Sequence, residues 1–327
     1  MSEQVLPGLY RLEIPIPNNP LKATNAYLMK GEVRNLLVDT GQNTATSMEV
    51  MRDSLSELSV DLGKTDIILT HMHADHSGLV PSLASATSRL FATAADGETV
   101  NSIFMDNSFG EWLYKAARHN GLPHTDALIA SKRHPANAAV IKEPLNFTYL
   151  TEGTIITVGG YDFTCIETPG HTKGHICLYE PDKKFLIAGD HLLGDITPNI
   201  TNFRGDGNPL ADFMMSLKKI AALSVDLVLP GHRGIFKDSR GRVDQLLQHH
   251  HRRIEEVFAI LAEGPMSGYQ VAARMTWDMV YKSWDDVAAA QKFFATVEAL
   301  SHLRYLECQG KIQRGMTGDT IVYWRKH

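Results

Sequence analysis

The chain has 327 residues, of which 43% are hydrophobic, a formal net charge of -5 and three cysteines. This suits a catalytic domain of about 250 residues with a small appendage, and the mildly acidic balance argues against nucleic acid as a partner. Cys165, Cys177 and Cys308 cannot all pair and show no CxxC spacing, residues 1–4 lack signal-peptide features, and no window approaches eighteen apolar residues. A cytoplasmic protein with neither a disulfide framework nor a membrane span is therefore expected.

Short strands are predicted over 5–16, 26–29 and 34–38, with Pro15, Pro17 and Pro20 interrupting the first, because proline cannot donate to a ladder. Asp39-Thr40-Gly41 closes the third strand as a turn. Met48, Met51, Leu55 and Leu58 then fall at helical spacing within 44–58. The apolar run Ile67-Ile68-Leu69 leads into Thr70-His71-Met72-His73-Ala74-Asp75-His76-Ser77-Gly78. This reads as a buried strand ending in a loop, with a further helix beginning near Ser77. His71, His73, Asp75 and His76 put four metal-competent side chains within six residues, and such donors suit zinc, iron or manganese. A solvated histidine-rich loop is the poorer account.

Residues 97–148 break the strand–helix rhythm with short helices bearing Phe104, Phe109, Trp112 and Tyr114. A lid, a pocket wall, an oligomer surface or ordinary packing would each explain such an insertion. His119, His124 and His134 lack ligand-like spacing there and read as surface residues. Strands resume at 154–158 and 161–167 across Gly159-Gly160, a hairpin signal. The second runs into Thr168-Pro169-Gly170-His171-Thr172-Lys173-Gly174-His175. Strands at 176–179 and 185–188 follow, the latter ending in Gly189-Asp190-His191, and that at 226–229 ends in Pro230-Gly231-His232. Four strand ends thus each present a metal-competent side chain beside glycine.

A helix over 241–262 carries His249-His250-His251. Consecutive helical residues point about 100° apart, so these three cannot chelate together, and a partly exposed helix is expected. After Gly264-Pro265, residues 266–327 read as helices at 269–275 and 284–308, then a hairpin of 311–314 and 320–324 across 315–318. That order resembles a winged-helix domain. With eight Lys/Arg against six Asp/Glu it lacks a basic stripe, so packing, dimerisation or pocket formation is expected rather than nucleic-acid binding.

Taken together, the His-x-His-x-Asp-His of His71, His73, Asp75 and His76, the Pro-Gly-His-Thr at His171, the Gly-Asp of Asp190 and the Pro-Gly-His of His232 resemble the metallo-β-lactamase superfamily. The resemblance covers about residues 5–250. It implies an α/β (α+β) chain built as a four-layer αββα sandwich: a catalytic domain over 1–250, with the helical insertion at about 97–148, and a winged-helix-like domain over 251–327. It also implies two divalent metal ions, zinc ahead of iron or manganese. His71, His73 and His171 would hold the first, Asp75, His76 and His232 the second, and Asp190 would bridge them.

Seven ligands exceed what one tetrahedral zinc takes. Asp75 is assigned the proton-handling catalytic role, Asp39 and Thr40 would orient imidazoles, and His175 and His191 read as structural. Asp190 stands where the antibiotic-hydrolysing branch lacks a bridging aspartate, and His73 where flavodiiron oxidoreductases carry glutamate. The chain is therefore similar to the glyoxalase II and lactonase type, although residues 195–200 hold no tyrosine of the kind that assists lactonases. A small ester, thioester or lactone is the expected substrate. The alternatives are a phosphodiesterase or ribonuclease using the same metals, and a binding or regulatory protein that retains the fold. The insertion and the appendage leave room for a homo-oligomer.

Overall fold

The structure is a computed structural model that describes residues 2–105, 108–132, 134, 141, 143–202, 205–278 and 281–326. Positions 106–107, 133, 135–140 and 142 of the expected insertion lie outside the described residues. The chain divides into two compact units. One comprises Met1–Asp106, Pro135–Pro198 and Ser216–Val243, and the other Asn107–His134, Asn199–Met215 and Asp244–His327.

The first unit holds two sheets. One has strands β1 (Ser2–Leu6), β2 (Leu9–Pro15), β3 (Ala23–Met29), β4 (Asn35–Val38), β5 (Thr65–Ile68), β6 (Leu90–Ala92) and β7 (Phe147–Tyr149) in that spatial order. Its first three pairings are antiparallel, and β4 to β7 run parallel. The other has β8 (Ile155–Val158), β9 (Tyr161–Glu167), β10 (Ile176–Glu180), β11 (Phe185–Gly189) and β12 (Leu227–Pro230), ordered β12-β11-β10-β9-β8. Here β11 and β12 are parallel and the rest antiparallel. Val158 pairs with Tyr161, and Gly159 and Gly160 both take positive φ, as a two-residue hairpin turn needs.

Leu9, Tyr27, Val38 and Ile68 from one sheet meet Phe163, Phe185, Ile187 and Leu229 from the other in a buried inter-sheet core. The outer face of the first sheet buries Leu28, Leu37 and Ile67 against Met51, Leu55, Leu83 and Val100. Those last four come from α1 (Ala45–Glu57), α3 (Val80–Leu83), which follows the one-turn α2 (Ala74–Ser77), and α4 (Ala94–Met105). Thr44 caps α1 by accepting from Ser47 N at 3.1 Å, so the helix begins where the expected periodicity does. Sheets stacked face to face with helices outside make this the α/β sandwich expected of the sequence.

One ion-pair cluster anchors β5. Asp66, 4% exposed, accepts from Arg34 Nε and Nη2 at 3.0 and 2.6 Å and from Arg89 Nε at 2.9 Å. Burial acts to raise its pKa, but Arg34 and Arg89 hold it below the usual carboxylate range. The stabilisation is therefore present above the unfolded value and disappears as pH falls through the lower folded one. Asp66→Asn should lower the unfolding free energy by about 1.5–3 kcal/mol at pH 7. Urea titrations should show that gap closing in acid, and a variant as stable as the parent at pH 7 would mean the arginines are held equally well by water.

In the second unit α5 (Phe109–His119) and α6 (His124–Lys132) bury Leu113, Ala117, Leu122, Ala127 and Ala130 against Phe293 and Val297. The helices α7 (Pro209–Ala221) and α8 (Ser239–Ile260) each have residues in both units, while α9 (Gly268–Ala272) and α10 (Ala289–Cys308) belong to the second. A three-stranded sheet, β13 (Met266–Ser267), β14 (Ile312–Thr317) and β15 (Thr320–Arg325), has the order β13-β15-β14.

Three expectations need correction here. The last long helix starts at Ala289, preceded by a separate 3-10 turn at Trp284–Asp286. The terminal hairpin turns at Gly318-Asp319, because Gly315 stays in its strand opposite Val322, where the Trp324 ring occupies the space a side chain would need. His134 is half-buried against Phe109 and Phe293, and burial lowers its pKa to about 4. All three cysteines are free. Among the described residues no helix is long and apolar enough to cross a membrane.

Candidate metal centre

All seven sequence-predicted ligands converge within the first unit. His71 Nε2 lies 3.1 Å and His171 Nε2 3.0 Å from His73 Nδ1, which closes one three-histidine group. A second group unites Asp75, His76 and His232, with His232 Nε2 3.3 Å from both His76 Nε2 and Asp75 Oδ2. Asp190 lies between them. Its Oδ1 is 3.5 Å from His76 Nε2, and its Oδ2 is 3.6 Å from His171 Nε2 and 3.3 Å from His232 Nε2.

Parallel strands explain the convergence. β4, β5 and β6 point their carboxyl ends the same way, as do β11 and β12, and loops leaving such ends share one edge of a sheet. The glycines beside the ligands permit close approach. A Cβ on Gly231 would run into Asp190 Oδ1 and lie 2.9 Å from His76 Cε1, and one on Gly189 would sit 2.7 Å from His175 Nε2.

The ring tautomers follow from the partners behind them. His232 Nδ1 is 2.7 Å from the Ala23 carbonyl, which can only accept, so Nδ1 carries a proton and Nε2 is the nitrogen turned to the centre. His76 Nδ1 likewise donates to Asp39 Oδ2 at 2.8 Å. Thr70 Oγ1 gives its proton to Asp39 Oδ2 at 2.7 Å and accepts from His71 Nδ1 at 3.0 Å. In three imidazoles Nδ1 is thus engaged by a partner behind the ring and Nε2 faces the centre, the arrangement in which outer partners orient metal ligands.

Asp39 therefore orients two of the candidate ligands, His76 directly and His71 through Thr70. It does so from a positive φ of 59°, with Oδ1 also accepting from Thr70 N. Thr40 binds the His76 carbonyl through Oγ1 at 2.7 Å. His175 accepts from Asp190 N through Nε2 at 3.1 Å, so it holds the loop carrying that aspartate. Sequence reasoning missed Asp96, which is buried and accepts from Met72 N, Thr172 Oγ1 and Gly174 N, tying the two histidine loops together. Its signal was its place just beyond β6, a fifth strand end bearing a carboxylate.

Electrostatics within the cluster divide the ligands. Burial, reinforced by neighbouring imidazoles, pushes His71 well below the ordinary histidine value and His73 to about 3. Burial acts the same way on His76 and His232, yet the carboxylates around them, Asp190 foremost, carry both above it. Burial acts to raise half-buried Asp75 and buried Asp190, but both are held low, Asp75 chiefly by His76 and Asp190 chiefly by His232. Both are ionised at neutral pH.

A metal fits this donor set. Zinc takes imidazole nitrogen at about 2.0–2.1 Å in a tetrahedron, which spaces donors ~3.3 Å apart, and these groups approach at 3.0 to 3.8 Å. Asp190 Oδ1 is also buried without a hydrogen-bond partner, a cost that a cation would remove.

Known proteins resemble this chain over most of its length. Residues 19–232 match the family model of the metallo-beta-lactamase superfamily. A crystal structure of a metallo-beta-lactamase family protein from Thermus thermophilus is similar at a TM-score of 0.80 and 31% identity, covering 99% of this chain and 100% of that one. The sequence is 26% identical to the probable metallo-hydrolase YqjP of Bacillus subtilis, over 91% of this chain and 92% of that protein. It is 25% identical to an atrochrysone carboxyl ACP thioesterase of Aspergillus fumigatus, over 74% of this chain and 60% of that protein. A family match across more than half the sequence, a shared sandwich and clustered metal-competent side chains lead to one assignment: the chain belongs to the metallo-beta-lactamase superfamily of metal-dependent hydrolases.

Proposed function

We propose that the protein is a dinuclear metal-dependent hydrolase of the glyoxalase II and lactonase type, acting on a small ester, thioester or lactone. The observation that carries this reading is Asp190, whose carboxylate spans the two ligand groups at 3.3 to 3.6 Å. His71, His73 and His171 would hold one ion, Asp75, His76 and His232 the other, with Asp190 shared. Divalent ions held there would supply Lewis acidity toward the attacked oxygen and a water acidic enough to ionise near neutral pH.

The chain's own residues do the rest. Asp39, Thr70 and the Ala23 carbonyl fix imidazole orientation. Asp75 takes up the proton at its carboxylate: it is ionised, and its side chain is 20% exposed, so the proton can leave to solvent. The thioesterase among the relatives favours thioesters within the substrate class. In the C-terminal part, β13, α9, α10 and the β14–β15 hairpin follow the order of a winged helix, and we assign it a packing rather than a nucleic-acid role.

Zinc content and turnover of an ester, thioester, lactone and bis-phosphodiester panel test the reading. The double variant His71→Ala/His232→Ala should lose two ions relative to wild type, with ester or thioester hydrolysis falling with them. Hydrolysis of the phosphodiester alone would overturn the substrate class. An unchanged ion count would overturn the ligand assignment.

A further inference from the structure

The histidine run on α8 meets a buried carboxylate within the second unit. One donor atom from each of His249, His250 and Glu298 lies within 4.8 Å of the others, with His250 and Glu298 buried and His249 half-buried. Three consecutive helical histidines cannot share an ion, but this group uses two of them and takes its third donor from α10. His251 stays exposed.

The hydrogen bonds around His250 determine its tautomer. His302 Nδ1 lies 2.8 Å from the Glu298 carbonyl, an acceptor only, so this nitrogen carries the proton. Burial lowers the pKa of His302 to about 3 and drives that of His250 well down, so both rings are neutral. His302 Nε2 is then an acceptor, and His250 Nδ1 donates to it at 3.3 Å. This leaves His250 Nε2 as a bare lone pair, fully buried and without a hydrogen-bond partner. A metal-bound imidazole has the same arrangement, with its outer nitrogen donating to a fixed partner.

Glu298 is prepared in the same way. Asn199 Nδ2 donates to its Oε2 at 3.0 Å, and the Ile200 backbone amide also reaches the carboxylate. Burial nonetheless raises its pKa to about 7, against the pull of Arg253. The Arg253 guanidinium is engaged elsewhere, bonding Glu256 and the Thr276 carbonyl and lying 4.3 Å over the Trp277 ring. Arg253 thus acts on Glu298 and His250 only through space, and among the described residues no hydrogen bond reaches His250 Nε2.

We propose that His249, His250 and Glu298 form a further cation site, separate from the Asp190-bridged centre, that takes a zinc-type divalent ion on two nitrogens and one carboxylate oxygen. Two imidazoles and a carboxylate with one position open is a donor set zinc uses. Tetrahedral zinc spaces its donors ~3.3 Å apart, so the half-buried His249 ring turns inward on binding. His302 and Asn199 act as positioning residues behind the ligands.

Zinc retained per chain, measured by elemental mass spectrometry after loading and desalting, tests this site. Glu298→Gln, which keeps side-chain shape, and His249→Ala, at a half-exposed position, should each hold one ion fewer than wild type. His71→Ala/His232→Ala should keep one ion that disappears when Glu298→Gln is added. Wild-type zinc content in both Glu298→Gln and His249→Ala, with normal circular dichroism, would overturn the proposal and leave the cluster a neutral polar network. If His71→Ala/His232→Ala keeps the wild-type count while Glu298→Gln loses an ion, the dinuclear reading fails and this site stands.

Discussion

Asp190→Ala is expected to cost hydrolysis well over 10²-fold and to lower the metal content. The carboxylate comes within 3.3 to 3.6 Å of His76, His171 and His232, so its loss takes a donor from both ligand groups at once. Outer partners of metal ligands are worth about 10–100-fold, and a shared ligand should exceed that. The substitution isolates the side chain, because the Asp190 amide still donates to His175 Nε2 and keeps the loop in place. Metal analysis and single-turnover rates on the same preparation decide the matter. A variant with full metal content and wild-type rate would remove Asp190 from the centre.

Asp39→Ala should reveal how far the centre depends on a residue that touches no substrate. Its carboxylate orients His76 directly and His71 through Thr70, and it also accepts from Thr70 N, which is buried. Losing it leaves that amide unpaired, at about 1–3 kcal/mol of stability, and frees both rings, at about 10–100-fold in metal affinity. Asp39→Asn keeps a residue type that tolerates the positive φ, but its amide turns a donor toward the His76 Nδ1–H. It should therefore recover stability better than affinity. Competition with a chromogenic chelator measures the second quantity and urea unfolding of metal-free protein the first. Equal affinity in all three proteins would mean the rings are held by packing alone.

Much of the centre was legible because its ligands follow a local rule. A strand followed by a donor side chain recurs at His71, His171, Asp190 and His232, with a glycine directly before the last three. The amphipathic α1 and the Gly159-Gly160 hairpin were legible for the same reason, since periodicity and positive-φ turn chemistry are written in adjacent residues. Asp96 escaped notice because one aspartate in the first turn of α4 looks like any capping acid. Only its bonds to Met72, Thr172 and Gly174, from loops far apart in sequence, mark it out. His134 was misjudged for a related reason: the ring that buries it, Phe293, lies far along the chain.

The second unit marks where sequence reasoning ends. Residues 97–148 and 251–327 read separately as an insertion and an appendage, yet 107–134 and 244–327 share one compact unit, with α5 and α6 packed on α10. Helix geometry alone forbids the three histidines on α8 from meeting. It could not foresee Glu298 arriving from another helix.

By itself the sequence determined the family and the strands that lead into the candidate donors, because donor type and strand periodicity are properties of short segments. Only the tertiary structure decided which nitrogen of each ring faces the centre and which polar side chains are buried without a partner. Those depend on contacts between residues tens to hundreds of positions apart, such as His232 on the Ala23 carbonyl and His250 against His302. Such contacts exist only once the hydrophobic cores have closed around them.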